Sequence, residues 1–233
     1  MVHWLYRKLV PEAWKTSRVV SAFKRLYYRL APHDMTYDDR FYAEVAGPAG
    51  ERAAPVMASS LRRAFNPSSV LDVGCGAGAL LDGLRALGVR VTGLEKARSA
   101  IAACERRGLS AIRFDVTRDC LPPGCKADVC CCFEVAEHVP ARHAPRLVAL
   151  LAEASPVVVF SAAPPGQGGT DHVNERPAEY WADLFRAHGF APDASMTREL
   201  RDEWASSGVV AAWYWRSVVV FRRACGPAGG KAP

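Results

Sequence analysis

Val70-Leu71-Asp72-Val73-Gly74-Cys75-Gly76-Ala77-Gly78 is the stretch on which any reading of this chain turns. Pro67-Ser68-Ser69 interrupts the segment before it, Val70 to Val73 reads as a short buried strand, and three glycines follow at alternate positions. Ala79 to Leu87 then spaces its leucines as a helix does. A strand, a glycine loop and a helix N-terminus together make a place for a nucleotide-like ligand. Glycine lets the backbone come close, and the first helical turn has unpaired N–H groups.

The loop alone admits a dinucleotide, because Gly74-x-Gly76-x-x-Ala79 fits the pattern G-x-G-x-x-G/A of nicotinamide enzymes. The acids that follow narrow the choice. Val89 to Glu95 reads as a second strand ending in a carboxylate placed to take both hydroxyls of a ribose. Ala111 to Val116 reads as a third, closed by Asp115, which suits an adenine amino group. Asp72 would repel a pyrophosphate. Asp72, Glu95 and Asp115 in succession describe a site for adenosine with a cationic, amine-bearing tail.

These residues resemble the class I S-adenosylmethionine-dependent methyltransferases, and the resemblance runs from about Tyr37 to Arg223. It implies an α/β fold with a doubly wound, mostly parallel seven-stranded sheet, the Rossmann-like methyltransferase fold, preceded by an N-terminal helical extension. It implies S-adenosyl-L-methionine as cofactor. Gly74 and Gly76 would pack against its methionine part, Asp72 would organise the amino end, Glu95 would bind the ribose, and Asp115 with the Val116 backbone would hold adenine. In similar methyltransferases an N-terminal region folds over the cofactor, which brings Tyr37 and Tyr42 into consideration.

At 233 residues with 50% hydrophobic content, the chain fits one domain with a sizeable core. The expected division is a basic N-terminal segment over 1–36, a methyltransferase domain over 37–225 and a disordered tail over 226–233. No stretch approaches the ~18 consecutive apolar residues of a membrane span. The N-terminus shows no secretory signal, so a cytoplasmic location is expected. The net charge of +6 is concentrated at one end: Arg7, Lys8, Lys15, Arg18, Lys24, Arg25 and Arg29 face only Glu12 within residues 1–30. Residues 12–30 read as an amphipathic helix, with Val19, Val20, Phe23, Leu26, Tyr27 and Leu30 on one side and Arg18, Arg25 and Arg29 on another. A packing lid or a weak membrane-surface contact fits that pattern. No basic stripe interleaved with aromatics runs through the body, so no nucleic-acid partner is expected.

The eight cysteines form no C-x-x-C pair. Cys130, Cys131 and Cys132 lie consecutively in an expected strand, so they alternate faces and do not share one ion. Past Val70, strands and helices alternate at short intervals. Ala127 to Val135 reads as the fourth strand, Arg146 to Ala154 as a helix, Pro156 to Ser161 as a fifth strand buried on both faces, and Pro177 to His188 as a helix stopped by Gly189. Val218 to Phe221 reads as the last strand, and Trp213 to Phe221 as a whole resembles the last strand of small-molecule methyltransferases.

Two polar segments fall at the carboxyl ends of strands, where ligands of open α/β sheets bind. They are Phe133-Glu134-Val135-Ala136-Glu137-His138 and Gly169-Thr170-Asp171-His172-Val173-Asn174. Either His138 or His172 suits a general base. Glu134-x-x-Glu137-His138 with a later His172 also resembles the E-x-x-E-H…H set of the small-RNA 2′-O-methyltransferases and the ubiquinone-pathway O-methyltransferases. That resemblance implies a divalent metal (Mg²⁺, Mn²⁺ or Zn²⁺) on Glu134, Glu137, His138 and His172, with Glu134 alternatively facing the methionine amine. Asp171 to Pro177 with Tyr180, Trp181 and Phe185 resembles the stand-alone methyltransferases that tailor sugars, lipids and natural products. Trp181 and Phe185 would form an acceptor wall or pack in the core. The expected reaction is methylation of a hydroxyl on a small or glycosylated acceptor. The alternatives are N-methylation of an amino sugar or amine, and a non-catalytic protein that keeps the cofactor fold to bind a partner.

Overall fold

The computed structural model of the chain describes residues 37–42 and 47–224. The amphipathic segment 12–30 and the tail 226–233 lie outside the described residues.

The strands are β1 (Ser69–Val73), β2 (Arg90–Glu95), β3 (Ala111–Arg113), β4 (Val129–Phe133), β5 (Val157–Ser161), β6 (Phe190–Pro192) and β7 (Val219–Arg223). They form one seven-stranded sheet in the order β3-β2-β1-β4-β5-β7-β6. Strands β1 to β5 pair in parallel, and β7 runs antiparallel between β5 and β6. The helices are α1 (Gly47–Phe65), α2 (Ala79–Ala86), α3 (Arg98–Arg106), α4 (Ala144–Ala154), α5 (Ala178–Ala187), α6 (Ala194–Ser206) and α7 (Ala212–Ser217), with a single turn at Asp39–Phe41. The chain moves outward from β1 through β2 to β3, then returns to place β4 on the other side of β1. That reversal is the switch point beside which such sheets bind ligands.

Both faces of the sheet are covered, which explains the unbroken apolar strands. On one face Leu61 of α1, Leu84 of α2 and Trp204 of α6 pack with Val70, Cys131, Val159 and Val220. On the other, Leu147 and Leu151 of α4 and Phe185 of α5 pack with Leu71, Phe160 and Phe221. Each such side chain, fully buried, contributes roughly 1.5–3 kcal/mol. Cys130 and Cys132 join the second core and Cys131 the first, the alternation that a strand imposes. All three are free thiols.

Two local expectations are corrected and one gap is filled. Trp213 to Ser217 is helical, not strand: Ala212–Ser217 makes the short α7, and β7 starts only at Val219. Aromatic residues favour strands in general, but here the turn bends the chain back onto β4, with Tyr214 edge-on to Phe133. The third strand ends at Arg113, which leaves Asp115 in the following turn. Between Gly189 and Ala211 the sequence reading assigns nothing, whereas the structure holds β6 and α6. The Asp193 carboxylate caps α6 by accepting from the Met196 amide at 3.0 Å. Among the described residues no helix is long and apolar enough to cross a membrane.

Candidate active site

Asp72 occupies the centre of the sheet, in register with Gly93 on β2 and Cys131 on β4. The chain leaves β1 through Gly74, which has φ +79° and no room for a side chain: a Cβ there would lie 2.3 Å from Cγ2 of Val135. Gly93 is equally constrained, since its Cβ would meet the Cys75 sulfur at 2.5 Å. The glycine loop therefore lies tight on β2 and on the segment after β4. Gly76 and Gly78 also have positive φ.

The loop is surrounded by acids. Asp72 is 5% exposed and accepts no hydrogen bond from a described residue, and burial together with the charge of Glu95 pushes its carboxyl up to about 7. Glu95 is buried at the end of β2. Its Oε2 accepts from the Gly76 amide at 2.9 Å, and its Oε1 from the amides of Lys96 and Ala97 at 2.7 and 2.8 Å. A carboxylate oxygen accepts more than one hydrogen bond, so these amides orient the group and leave acceptor capacity. Asp115 sits in its turn with Oδ1 accepting from the Thr117 amide and hydroxyl at 3.0 and 2.6 Å. Its Oδ2 pairs with Lys96 at 3.1 Å and Arg118 at 3.2 Å. Burial alone would raise its pKa, but Thr117 and Lys96 outweigh that and hold it down at about 2. The neighbouring Val116 amide donates to no described residue. An ammonium beside Asp72 and hydroxyls beside Glu95 fit this set of acceptors.

The second half of the site follows β4. Glu134 has φ +54°, an uncommon conformation for a residue with a side chain, and Asp171 has φ +59°. Between them the chain makes a 3₁₀ turn at Ala136–His138. The Glu137 carbonyl accepts from the amides of Val173 and Asn174 at 2.9 and 3.0 Å, which pins the loop after β5 against this turn. Consequently one atom from each of Glu137, His138 and His172 lies within 4.8 Å of the others. Glu137 is fully buried, and neither carboxylate oxygen has a donor at hydrogen-bond geometry among the described residues. Burial and the charge of Glu134 push its carboxyl well up, and the nearby amides of Glu137 and Ala163 offset only part of this. A buried acid without a donor keeps a proton or meets a cation. The two imidazole rings are 5.0 Å apart, edge to face.

Each histidine is oriented from behind. Nδ1 of His172 lies 2.8 Å from Oε1 of Glu175. The same carboxylate accepts from the amides of Gly166 and Gly168 at 2.8 and 2.7 Å. Burial raises Glu175, but the bonds from His172 and these amides prevail and hold its carboxyl below the ordinary range. Nδ1 of His138 lies 3.0 Å from the Tyr37 hydroxyl and 3.2 Å from the Asp171 carbonyl oxygen. A carbonyl only accepts, so Nδ1 bonds to Asp171 when it carries the proton, whereas the Tyr37 hydroxyl suits either tautomer. Glu175 and Tyr37 are absent from the sequence reading of the histidines. The H-x-x-E spacing signals the first, whereas Tyr37 is 101 residues from His138 and has no local signal.

Glu134 does not join the group. Its Oε1 accepts from Ser161 at 2.8 Å and Ser217 at 3.3 Å, and its Oε2 from Gln167 at 2.9 Å. The resemblance groups both acids in one ligand set, but Glu134 stands before the turn with its backbone reversed. Tyr42 lies against the glycine loop, its Cε1 3.4 Å from the position of a Cβ on Gly76. Trp181 and Phe185 are buried in the core formed with Phe160.

A family model described as a methyltransferase domain matches residues 49–195. Two curated relatives are ubiquinone biosynthesis O-methyltransferases. The one from Glaesserella parasuis serovar 5 (strain SH0165) is 32% identical over 84 residues, covering 32% of this chain and 36% of the relative. The one from Albidiferax ferrireducens (strain ATCC BAA-621 / DSM 15236 / T118) is 38% identical over 79 residues, covering 30% and 31%. The match thus spans about a third of each relative's length. Among solved structures, the chain is similar to the sugar N-methyltransferase KedS8 from Streptoalloteichus sp ATCC 53650, at TM-score 0.59, 19% identity, 79% of this chain and 92% of the other. It is also similar to the magnesium protoporphyrin IX methyltransferase from Synechocystis PCC 6803 with bound cofactor, at TM-score 0.57, 15% identity, 91% and 94%. With the glycine loop at the switch point, the acids around it and this sheet order, the chain belongs to the methyltransferase-domain family and has the class I methyltransferase fold.

Proposed function

We propose that the enzyme methylates a hydroxyl of a small or glycosylated acceptor, and that Glu137, His138 and His172 hold a divalent cation at the site of transfer. The observation that carries this reading is the buried Glu137 carboxyl, which no described donor meets at full hydrogen-bond geometry, beside two imidazoles that are each fixed from behind. When bound, S-adenosylmethionine supplies an electrophilic methyl group, and a divalent cation supplies a Lewis acid that lowers the pKa of a hydroxyl.

The chain's own residues do the rest. Asp72 receives the ammonium of the methionine part, Glu95 takes the ribose hydroxyls, and Asp115 with the Val116 amide holds adenine. Val135, packed on Gly74, sets the distance between the glycine loop and the turn that carries Glu137 and His138. Glu175 and the Asp171 carbonyl fix the imidazoles from behind through Nδ1, the kind of outer contact that orients metal-ligating histidines. Glu134, tied to Ser161 and Gln167, holds the loop after β5 instead of the cation. A hydroxyl must lose its proton during transfer whereas a neutral amine attacks directly, so a device for removing or weakening an O–H bond favours oxygen over nitrogen.

A second reading follows from the His172–Glu175 pair: without a metal, His172 is the general base and Glu175 its orienting carboxylate. Turnover of an accepted substrate after chelation separates the two. Loss of activity restored by Mg²⁺ or Mn²⁺ supports the metal, and unchanged activity supports the base.

A further inference from the structure

A second cavity, about 390 Å³, opens beside the site between the loop after β5, α5 and α7. Its apolar wall includes Phe160, Trp181 and Val219, and the exposed Trp213 stands at its lining. Arg176, Arg201 and Arg216 all line it.

These arginines lack the carboxylate partners that several others in the chain have. Arg63, Arg85, Arg107, Arg186 and Arg222 each pair with a carboxylate. Arg176 instead donates Nε to the Asn174 side-chain oxygen at 3.0 Å and lies 5.2 Å from the Tyr180 ring. Arg201 donates Nε to the Val218 carbonyl at 3.0 Å. Arg216 lies 4.9 Å from the Trp215 ring. None of the three forms an ion pair with a described carboxylate. A guanidinium stays charged at any ordinary pH, and its fork of N–H groups matches a carboxylate or phosphate. Trp181 adds an independent sign of a missing acceptor: the residue is 2% exposed, and its indole N–H has no partner among the described residues. An occupant bearing an oxyanion would answer both features.

The cavity shares residues with the site. Gln167 and Ser217, which line it, are the same residues that hold the Glu134 carboxylate. Gln167 and Ser217 thus join the arginine-lined cavity to the Glu134 carboxylate. We propose that this cavity is the acceptor subsite, and that the acceptor has an apolar body carrying an oxyanion, a carboxylate or a phosphate, held by Arg176, Arg201 and Arg216. This proposal rests on the methyl-transfer reading and narrows its substrate class.

The test uses the full-length protein saturated with S-adenosylhomocysteine, titrated at constant ionic strength with naphthoate, naphthyl phosphate or neutral naphthol. Binding is followed by the indole N–H resonances of the tryptophans. The expected result is that one or both anions shift the Trp181 and Trp213 signals and bind at least about tenfold more tightly than naphthol, the factor a charge-assisted hydrogen bond commands. The stronger anion identifies carboxylate or phosphate. Arg176→Gln and Arg216→Gln are the variants used, because both side chains are exposed whereas Arg201 also holds Val218; each should weaken the anion about tenfold and leave naphthol unchanged. Equal affinity for all three probes, anion binding untouched by both variants, or no anion binding at millimolar concentration would overturn the subsite. A thermal shift with S-adenosylhomocysteine on the same samples separates the two levels. If that shift persists while anions fail, only the subsite is wrong; if it is absent, the methyl-transfer reading falls with it.

Discussion

Glu175 sits behind His172, its Oε1 2.8 Å from Nδ1, and the same carboxylate closes the Gly166–Gly168 loop through two backbone amides. One side chain therefore orients an imidazole and folds the segment that delivers it. Exchange to Gln keeps the shape but loses the charge. Glu175→Gln should lower affinity for Mn²⁺ by about 10–100-fold, the usual effect of removing such a partner, with the midpoint of thermal unfolding little changed. Calorimetric titration of the metal checks this. A Glu175→Asp variant should recover part of the loss.

The cofactor side is tested through pH. Asp72 keeps its proton in the folded chain up to about 7, whereas an unfolded aspartate releases it near ~3.9. Between those values the folded state binds more protons, so this group makes the empty protein less stable as pH rises. A cationic amine beside Asp72 favours the ionised form. The thermal shift given by S-adenosylhomocysteine should therefore grow as pH rises through about 7, and Asp72→Asn should flatten that rise while weakening binding about tenfold or more.

Glu95 links the glycine loop to the end of β2 through the Gly76 amide. At a hundredfold excess over Kd, S-adenosylhomocysteine should stabilise the wild-type protein by ~2.7 kcal/mol. Glu95→Ala should lose most of that shift, because it removes the ribose acceptor and the tether of the loop together.

Gly74→Ala offers a structural control. The added methyl would meet Val135 in a backbone conformation unfavourable to any other residue. It should destabilise the fold by more than ~1 kcal/mol and displace the turn carrying Glu137 and His138, visible as lost metal binding along with a lower Tm.

The cap of α6 gives a pH prediction remote from the site. The Met196 amide, Arg222 and Ser195 hold the Asp193 carboxyl at about 2. A depressed pKa stabilises the fold above the unfolded value and is lost as pH falls from ~4 to about 2. Asp193→Ala should cost about 1 kcal/mol at neutral pH, and the difference from wild type should vanish toward the acid end of that window.

What could be read from the chain alone was whatever is local. Val70 to Gly78 announces strand and loop through apolar residues and glycines within nine positions, and Glu95 follows at a strand end. The buried run Val157 to Ser161 is equally plain. Contacts across the fold were not legible: Tyr37 reaches His138 from 101 residues away. The E-x-x-E-H resemblance groups Glu134 with Glu137, but the positive φ of Glu134 sends its carboxylate to Ser161. The resemblance of Trp213 to Phe221 to a last strand misled over Trp213 to Ser217, where a short helix faces the cavity. The three-residue β6 is too short for any period to show, and it exists because β7 supplies its partner.

Metal-stripped protein saturated with S-adenosylhomocysteine, titrated with Mn²⁺ and read by the loss of the free-ion paramagnetic resonance signal, tests the central claim most directly. Gln keeps the size and shape of this buried side chain, so Glu137→Gln should keep the fold and the cofactor thermal shift. The account predicts saturable binding of Mn²⁺ to the wild-type chain that disappears in Glu137→Gln and in His172→Ala. Binding that is absent from the wild type, or equal in all three proteins, would contradict it.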